Sequence, residues 1–381
     1  MPSQVHYPEN YLYLCTHRAV LPIDDMKPRH TMTKTRITLL SCALAAFATA
    51  ATAACSSKGT TTASDNDSVA RAAMPEVPTA DADSVYAYVE AQTSLGPRTP
   101  GSAAHARCAD MLRARLAAAG AEVSTDAGTG SLADGTSIRF ENIFGRFGGG
   151  ARQRVLLLAH YDTRPWADED PDPAHHNTPI DGANDGASGV AVLLEVARNI
   201  AAKDPGIGVD ILFTDAEDSG LSAPEGSDDA TLMRYENSWC IGTQHWVRNM
   251  PYDITKGEMP AYAILVDMVG AAGAVFAKEY FSMRSAPQVV SKVWDAAARR
   301  GLGELFVQRR GGAINDDHVH IISAGIPAID IIDAGRPGGF TPTWHTMADN
   351  IANIDRTTLH AVAQVLLDVI YSEQPSAKQQ P

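Results

Sequence analysis

Apolar residues follow two rhythms along this chain. In residues 81–92 and 103–119 they recur every three to four positions, the spacing of one helix face, and that spacing returns in 187–202, 244–249, 286–300 and 357–371. Between these stretches lie short apolar runs at 138–144, 155–159, 209–214, 262–268 and 328–332. Runs of this length, rich in Val, Ile and Leu, predict strands buried on both faces. Their alternation with helices predicts one α/β domain, with a central mixed, mostly parallel sheet flanked by helices on both faces. In such sheets ligands bind beyond the carboxyl ends of the strands, so the polar residues just after each run are the first place to look for chemistry.

The first 74 residues keep neither rhythm. Residues 1–31 are polar and irregular and are expected not to fold, with Met32 the expected true start. Lys34 and Arg36 then precede a charge-free stretch, 37–54, rich in Leu and Ala. A basic start and an apolar core too short to span a bilayer comfortably predict a signal peptide over 32–54. Its end, Thr52-Ala53-Ala54-Cys55, resembles a bacterial lipoprotein signal, with Thr52 where Leu is usual; cleavage after an Ala-x-Ala pattern is the alternative. The resemblance implies lipidation of Cys55 and a periplasmic or outer-membrane lipoprotein that meets the membrane only through that anchor. Residues 55–74, mostly Ser, Thr, Ala, Asp and Gly, predict a flexible tether, and the catalytic domain is expected over 75–381.

Composition narrows the function. With 45% hydrophobic residues the chain can build a large core, which excludes global disorder, and a net charge of −14 makes nucleic acid a poor partner. Five cysteines without Cys-x-x-Cys spacing exclude a disulfide scaffold and a cysteine-rich zinc module, so a metal here must use His and carboxylates. Cys108 and Cys240 fit either a disulfide or two buried thiols. No phosphate loop or Gly-x-Ser-x-Gly elbow is present, which argues against nucleophilic Ser catalysis.

Such ligands stand at five run ends. His160-Tyr161-Asp162 follows the run at 155–159, where the imidazole can bind a metal and Asp162 can orient its other nitrogen. Asp181 to Gly189 holds Asp185 beside glycines that permit a tight turn, although capping of the next helix also explains an Asp there. Asp215-Ala216-Glu217-Asp218 ends the run at 209–214, and of two adjacent acids one can ligate a metal while the other moves a proton. Asp267 interrupts an apolar run, a costly place for a carboxylate without a cation or donors. Trp344-His345-Thr346 supplies the last imidazole. Singly each is weak; together, at successive strand ends, they read as a zinc site.

This succession, with Asn315-Asp316-Asp317-His318, resembles the zinc aminopeptidase and glutaminyl cyclase superfamily from about residue 75 to 371. Asp316-Asp317-His318 before Gly325-Ile326-Pro327, and Trp344 directly before His345, are similar to the bacterial glutaminyl cyclase branch. The resemblance implies one zinc on Asp185, Asp218 and His345, with Glu217 as general acid/base and Asp267 and Asp316 sustaining its hydrogen-bond network. Trp344 and Asp317 are expected at the substrate, an N-terminal glutamine of a peptide or protein, which is converted to pyroglutamate with loss of ammonia. The alternative is a two-zinc aminopeptidase, in which His160 and Asp267 also hold the second ion. A third reading is a catalytically silent, surface-tethered binding protein. Asp218 stands where animal members carry Glu, and Asp330 where they carry a His. Trp166, Trp239 and Trp246 are candidates for pocket mouth or core, and His175 and His176 for an exposed loop or a lid.

Overall fold

The computed structural model describes residues 76–373, so the expected signal peptide, tether and Cys55 lie outside the described residues. A six-stranded sheet forms from β1 (Glu122–Ser131), β2 (Ser137–Phe147), β3 (Arg154–His160), β4 (Gly208–Thr214), β5 (Ala263–Asp267) and β8 (Ala328–Ile332), in the order β1-β2-β4-β3-β5-β8. β1, β2 and β4 pair antiparallel, whereas β4, β3, β5 and β8 run parallel. The four parallel strands therefore end on one edge, and the register places His160 beside Thr214 and Asp267 beside Ile332.

Strand alternation builds two cores. Val155, Leu157 and Ala159 of β3 pack into the larger one, with the helices α1 (Ala82–Thr93), α2 (Ala103–Ala118), α3 (Ala187–Ala202), α7 (Pro287–Arg299) and α9 (Arg356–Ser372). Leu156 and Leu158 face the other way, onto Trp246, Tyr252 and Ile321. All seven residues of β3 and of β4 are buried, which is why these runs show no polar alternation. At about 1.5–3 kcal/mol per fully buried large apolar side chain, these strands fix the frame on which the edge loops stand.

The remaining elements lack an apolar period of their own. β1 alternates exposed and part-buried residues and exists because ten of its positions pair with β2. Gly128 and Gly130 allow that pairing, since a Cβ would come within 2.6 Å of Phe140 and 2.4 Å of Ile241. β6 (Phe276–Lys278) and β7 (Phe306–Arg310) form a separate parallel pair. The short helices α4 (Asp229–Glu236), α6 (Tyr280–Ser285) and α8 (Asp317–Ser323) start on side-chain caps from Asp228, Glu279 and Asp316. α5 (Ile241–Trp246) begins three residues before the expected helix because Cys240, in left-handed geometry, turns the chain into it. Among the described residues no helix is long and apolar enough to cross a membrane.

Candidate active site

The loop after β3 and the loop before α3 meet across the sheet edge. His160, buried at the end of β3, places Nε2 3.0 Å from Asp185 Oδ1 and 3.1 Å from Asp267 Oδ1. Asp185 is fixed from behind: Asp349 accepts the backbone N–H of Asn184 at 2.7 Å and of Asp185 at 3.0 Å. Arg98, fully buried, donates to the carbonyls of Tyr161, Asp181 and Gly182 and so ties the two loops together. Gly186 follows at φ 95°, where a Cβ would meet the Asp162 carbonyl at 2.7 Å.

Asp162 has a second task beside the expected one. It lies 3.5 Å from His160 Nδ1 and also accepts the N–H groups of Glu217 at 3.2 Å and Asp218 at 3.3 Å. Two backbone donors hold a carboxylate better than one ring nitrogen at that distance, so Asp162 anchors the loop that carries the acid pair.

That loop brings Asp218 to His345. Asp218 Oδ1 is 3.1 Å from His345 Nε2, and Asp185 Oδ2 is 3.8 Å from the same atom. Asp185 thus presents one oxygen to His160 and the other to His345. Two sets of three donors result, His160/Asp185/Asp267 and Asp185/Asp218/His345, each with its atoms within 4.8 Å of one another. Asp218 Oδ2 is buried without a hydrogen-bond partner, an atom that a cation would satisfy. Imidazole nitrogen with carboxylate oxygen, three protein donors per set, suits zinc with room for a further ligand.

Electrostatics point the same way. Burial and repulsion from Asp185 push Asp218 up to about 6, against the pull of His345. His345 rises to about 9, because attraction to Asp218 and Asp168 outweighs burial. Burial, with repulsion from Asp185, also raises Asp267, and with Asp267 and Asp317 it raises Asp316 well above the carboxylate range. So many acids in so little water call for a positive charge.

Glu217 belongs to neither set. It opens onto the cavity beside Asp316, and Cys240 donates its thiol to Glu217 Oε1 at 3.2 Å. Burial, then Asp316 and Asp218, hold its proton affinity well above the usual value. A carboxyl next to a metal site, held off it and easily protonated, can accept and return a proton.

The cavity measures about 310 Å³, at the small end for ligand pockets. Trp344 stacks on His345 at 3.8 Å between ring centroids and meets Phe340 at 4.7 Å; Trp239 lies parallel to His345 at 6.4 Å. Arg164 sits against the rings of Trp166 and Trp239 and binds both oxygens of Asp168, which in turn lies 3.4 Å from His345 Nδ1.

Most of the expected site residues converge here: Asp185, Glu217, Asp218, Asp267, Asp316, Trp344 and His345 all line the cavity. Asp317 does not. It is fully buried at the start of α8, where Oδ2 accepts from Thr214 at the end of β4, so it shapes the floor rather than meeting substrate. Trp246 is core, Trp239 lines the cavity, and His175 and His176 stand on a part-exposed turn tied to Asp170. Cys108 and Cys240 are both free and buried. Sequence reasoning missed Asp168 and Cys240 at the site and left Trp239 open between pocket mouth and core; Asp168 lies in an Asp- and Pro-rich loop whose charges look like solvated surface.

The model of peptidase family M28 matches residues 142–370. A glutaminyl cyclase structure from Bacteroides thetaiotaomicron is 44% identical with a TM-score of 0.74, covering 78% of this chain and 100% of its own. A Zn-dependent exopeptidase from Parabacteroides distasonis is 47% identical with a TM-score of 0.73 and the same coverages. Glutaminyl-peptide cyclotransferase of Bos taurus is 25% identical over 246 residues, 60% of this chain, which spans 64% of that relative's length.

Proposed function

We propose that this chain, which belongs to peptidase family M28, is a zinc-dependent glutaminyl cyclase that converts N-terminal glutamine of peptides or proteins to pyroglutamate and ammonia. The observation that carries the reading is Glu217: proton-hungry, open to the cavity, adjacent to the Asp185/Asp218/His345 donors yet outside them. The similarity to the Bacteroides cyclase favours cyclisation over hydrolysis.

One zinc is assigned to Asp185, Asp218 and His345. When bound there it supplies Lewis-acid polarisation of the glutamine γ-carbonyl. The chain's own residues do the rest. Trp344 and Phe340 wall a cavity small enough to hold the glutaminyl side chain folded toward its own amine, the proximity that ring closure requires. Glu217 takes one proton from the α-amine as its nitrogen bonds to the side-chain carbonyl carbon. It returns that proton to the amide nitrogen, which leaves as ammonia when the old carbon–nitrogen bond breaks. Asp316 and Asp267 are read as sustaining the network around Glu217: Asp316 raises the proton affinity of Glu217, and Asp267 raises that of Asp316.

A second reading keeps one specific support: the His160/Asp185/Asp267 set is also complete, as a two-zinc aminopeptidase needs. A coupled ammonia assay on a Gln-initiated peptide, run beside a panel of aminoacyl anilides and a metal count, separates the two. Ammonia release with one zinc per chain supports the cyclase. Release of the aniline with two zinc ions per chain transfers the protein to the aminopeptidase reading. Residues 32–54 are proposed as an export signal and Cys55 as a lipid anchor, giving a periplasm-facing lipoprotein. Intact mass of the mature N-terminus and membrane fractionation test that assignment; an unmodified soluble chain refutes it.

A further inference from the structure

Just after the acid pair the chain leaves the body of the domain and then returns to it. From Leu221 to Asn237 no residue is buried, and this stretch includes all of α4. Its hydrogen bonds are short in range: Ser227 donates to Pro224, Thr231 to Asp228 and Asn237 to Met233. Leu221 packs its start against Phe140 and Ile241, but α4 buries nothing. A segment with so little apolar contact sits at the low end of local stability, where binding flaps are found.

The neck of the excursion is fixed, and it stands at the cavity. Leu221 donates its N–H to Ser238 Oγ at 3.2 Å, so the two ends meet. Gly220, whose carbonyl accepts from Arg164, lies flat against Trp239; a Cβ there would come within 2.1 Å of the indole. Ser222 at one end and Trp239 at the other both line the cavity. The segment is therefore closed at its base, rooted in the rim and unpacked beyond it.

Among the described residues two large apolar side chains are exposed, Met233 at 60% and Met347 at 36%. Met233 lies on α4, and Met347 follows His345 by two residues with its N–H held by Asp170. Each stands on a segment that also supplies a cavity wall, Trp239 for the first, Trp344 and His345 for the second. Unbranched and polarisable, Met adapts to varied apolar partners. A substrate peptide gives this surface its occupant. A cavity of about 310 Å³ takes the glutaminyl residue, so the chain behind it must leave over the rim. At about 3.3–3.6 Å per residue, the next three or four residues match the length of α4, about 12 Å.

We propose that residues 221–237 are a flap that docks the peptide chain following the N-terminal glutamine, with Met233 and the Met347 turn taking apolar side chains from it. Docking rests on the cyclase reading, because a glutamine in the cavity is what brings the chain to the flap. Extended peptides with apolar residues after the glutamine are then the preferred substrates. The preference lies in KM, because the flap touches no reacting atom.

Ammonia release from Gln-Gly, Gln-Ser-Ser-Ala and Gln-Leu-Leu-Ala tests this. Wild type is expected to show kcat/KM about tenfold higher for the Leu peptide than for Gln-Gly, with kcat equal, as partial cover of two apolar side chains supplies. Met233→Asp cuts the advantage to about threefold or less and leaves Gln-Gly turnover unchanged; replacing residues 223–236 by two glycines removes it. Equal kcat/KM for all three peptides in wild type, or an undiminished advantage in Met233→Asp, overturns the docking role. Hydrogen exchange of zinc-loaded Glu217→Gln with Gln-Leu-Leu-Ala reads docking without turnover: amides of 221–237 slow several-fold on binding, and no slowing overturns it. If wild type releases no ammonia from any of the peptides, the cyclase reading fails, whereas exchange still decides whether the flap holds the chain.

Discussion

Asp168 is the side chain whose removal tests the metal assignment most directly. It stands behind His345, 3.4 Å from Nδ1, while Nε2 of the same ring faces Asp185 and Asp218. A carboxylate there fixes the tautomer and the ring plane, and loss of such partners typically lowers metal affinity about 10–100-fold, or about 1.4–2.7 kcal/mol. Asp168→Ala also strips Arg164 of a two-point partner at 3.0 and 2.6 Å. Arg164 is buried, so the loss costs stability; it keeps the carbonyls of Asp218 and Gly220, and Asp168 is a quarter exposed, which holds that cost to about 2 kcal/mol. Asp168→Asn retains an acceptor for His345 and is expected to fall between wild type and Ala. Competition with a chromophoric chelator gives the zinc affinity of the three proteins, and thermal melts of the zinc-free forms give stability separately. A zinc Kd within about twofold of wild type in Asp168→Ala, on a protein that melts cooperatively, refutes the reasoning and removes His345 from the ligand set.

Three further outcomes follow from the same structure. Glu217→Gln is expected to lower kcat about 10²–10⁴-fold while zinc content and Tm stay at wild-type values, because an amide cannot accept the proton; retained turnover excludes Glu217 as the acid/base. Chelation should lower the Tm, since free zinc at a hundredfold its Kd contributes about 2.7 kcal/mol, and calorimetry with and without chelator that shows no shift contradicts a native-state zinc site. His320, buried, falls from 6.5 to about 4 through burial and then the charges of His318 and Arg248. Its neutral form belongs to the fold, so its contribution is complete above pH 6.5, is lost as pH falls toward 4, and amounts to about 3 kcal/mol. Urea unfolding across that range should show the loss, and His320→Gln should flatten it; an unchanged slope in the variant assigns the loss to other groups.

The parts of the fold visible in the sequence were those whose burial is written as an apolar run or a helical stripe. β3 and β4 could be read because both faces are covered, and α9 because one face carries Leu359, Val362 and Leu366 into the core. β1 could not: its residues are mostly polar, and its order comes from pairing with β2, whose partners run from Ser137 opposite Ser131 to Arg146 opposite Glu122, rather than from an apolar pattern of its own. The metal-type ligands were readable for a related reason. A parallel sheet brings strand ends together, so His160, Asp218 and Asp267, distant in sequence, had one place to meet. What stayed hidden depends on side-chain reach. Asp317 sits next to Asp316, yet one residue caps α8 toward the cavity and the other turns to Thr214. Cys240 and Trp239 reach Glu217 and His345 only because the chain after α4 turns sharply, a left-handed step at Cys240 that composition does not announce.

That left-handed step is one of four. Among the described residues the non-glycine positions with positive φ are Ala216, Cys240, Met268 and His345, at 52°, 53°, 48° and 54°, and every one lies at the site. Each costs of order 1–2 kcal/mol and sets a functional atom: Ala216 turns Glu217 and Asp218 off β4, Met268 ends the strand at Asp267, and His345 aims its own ring. The crowding of carboxylates is a second, separate cost. A bound cation offsets the second by charge, but it does nothing for backbone dihedrals. The strain must therefore be held by packing: by the two-sided burial of β3 and β4, by Asp349 and Arg98 behind the Asp185 loop, and by Asp162 beneath the acid pair. It follows that the donors are arranged before the metal arrives, so zinc removal should loosen the acids electrostatically while leaving the left-handed turns in place.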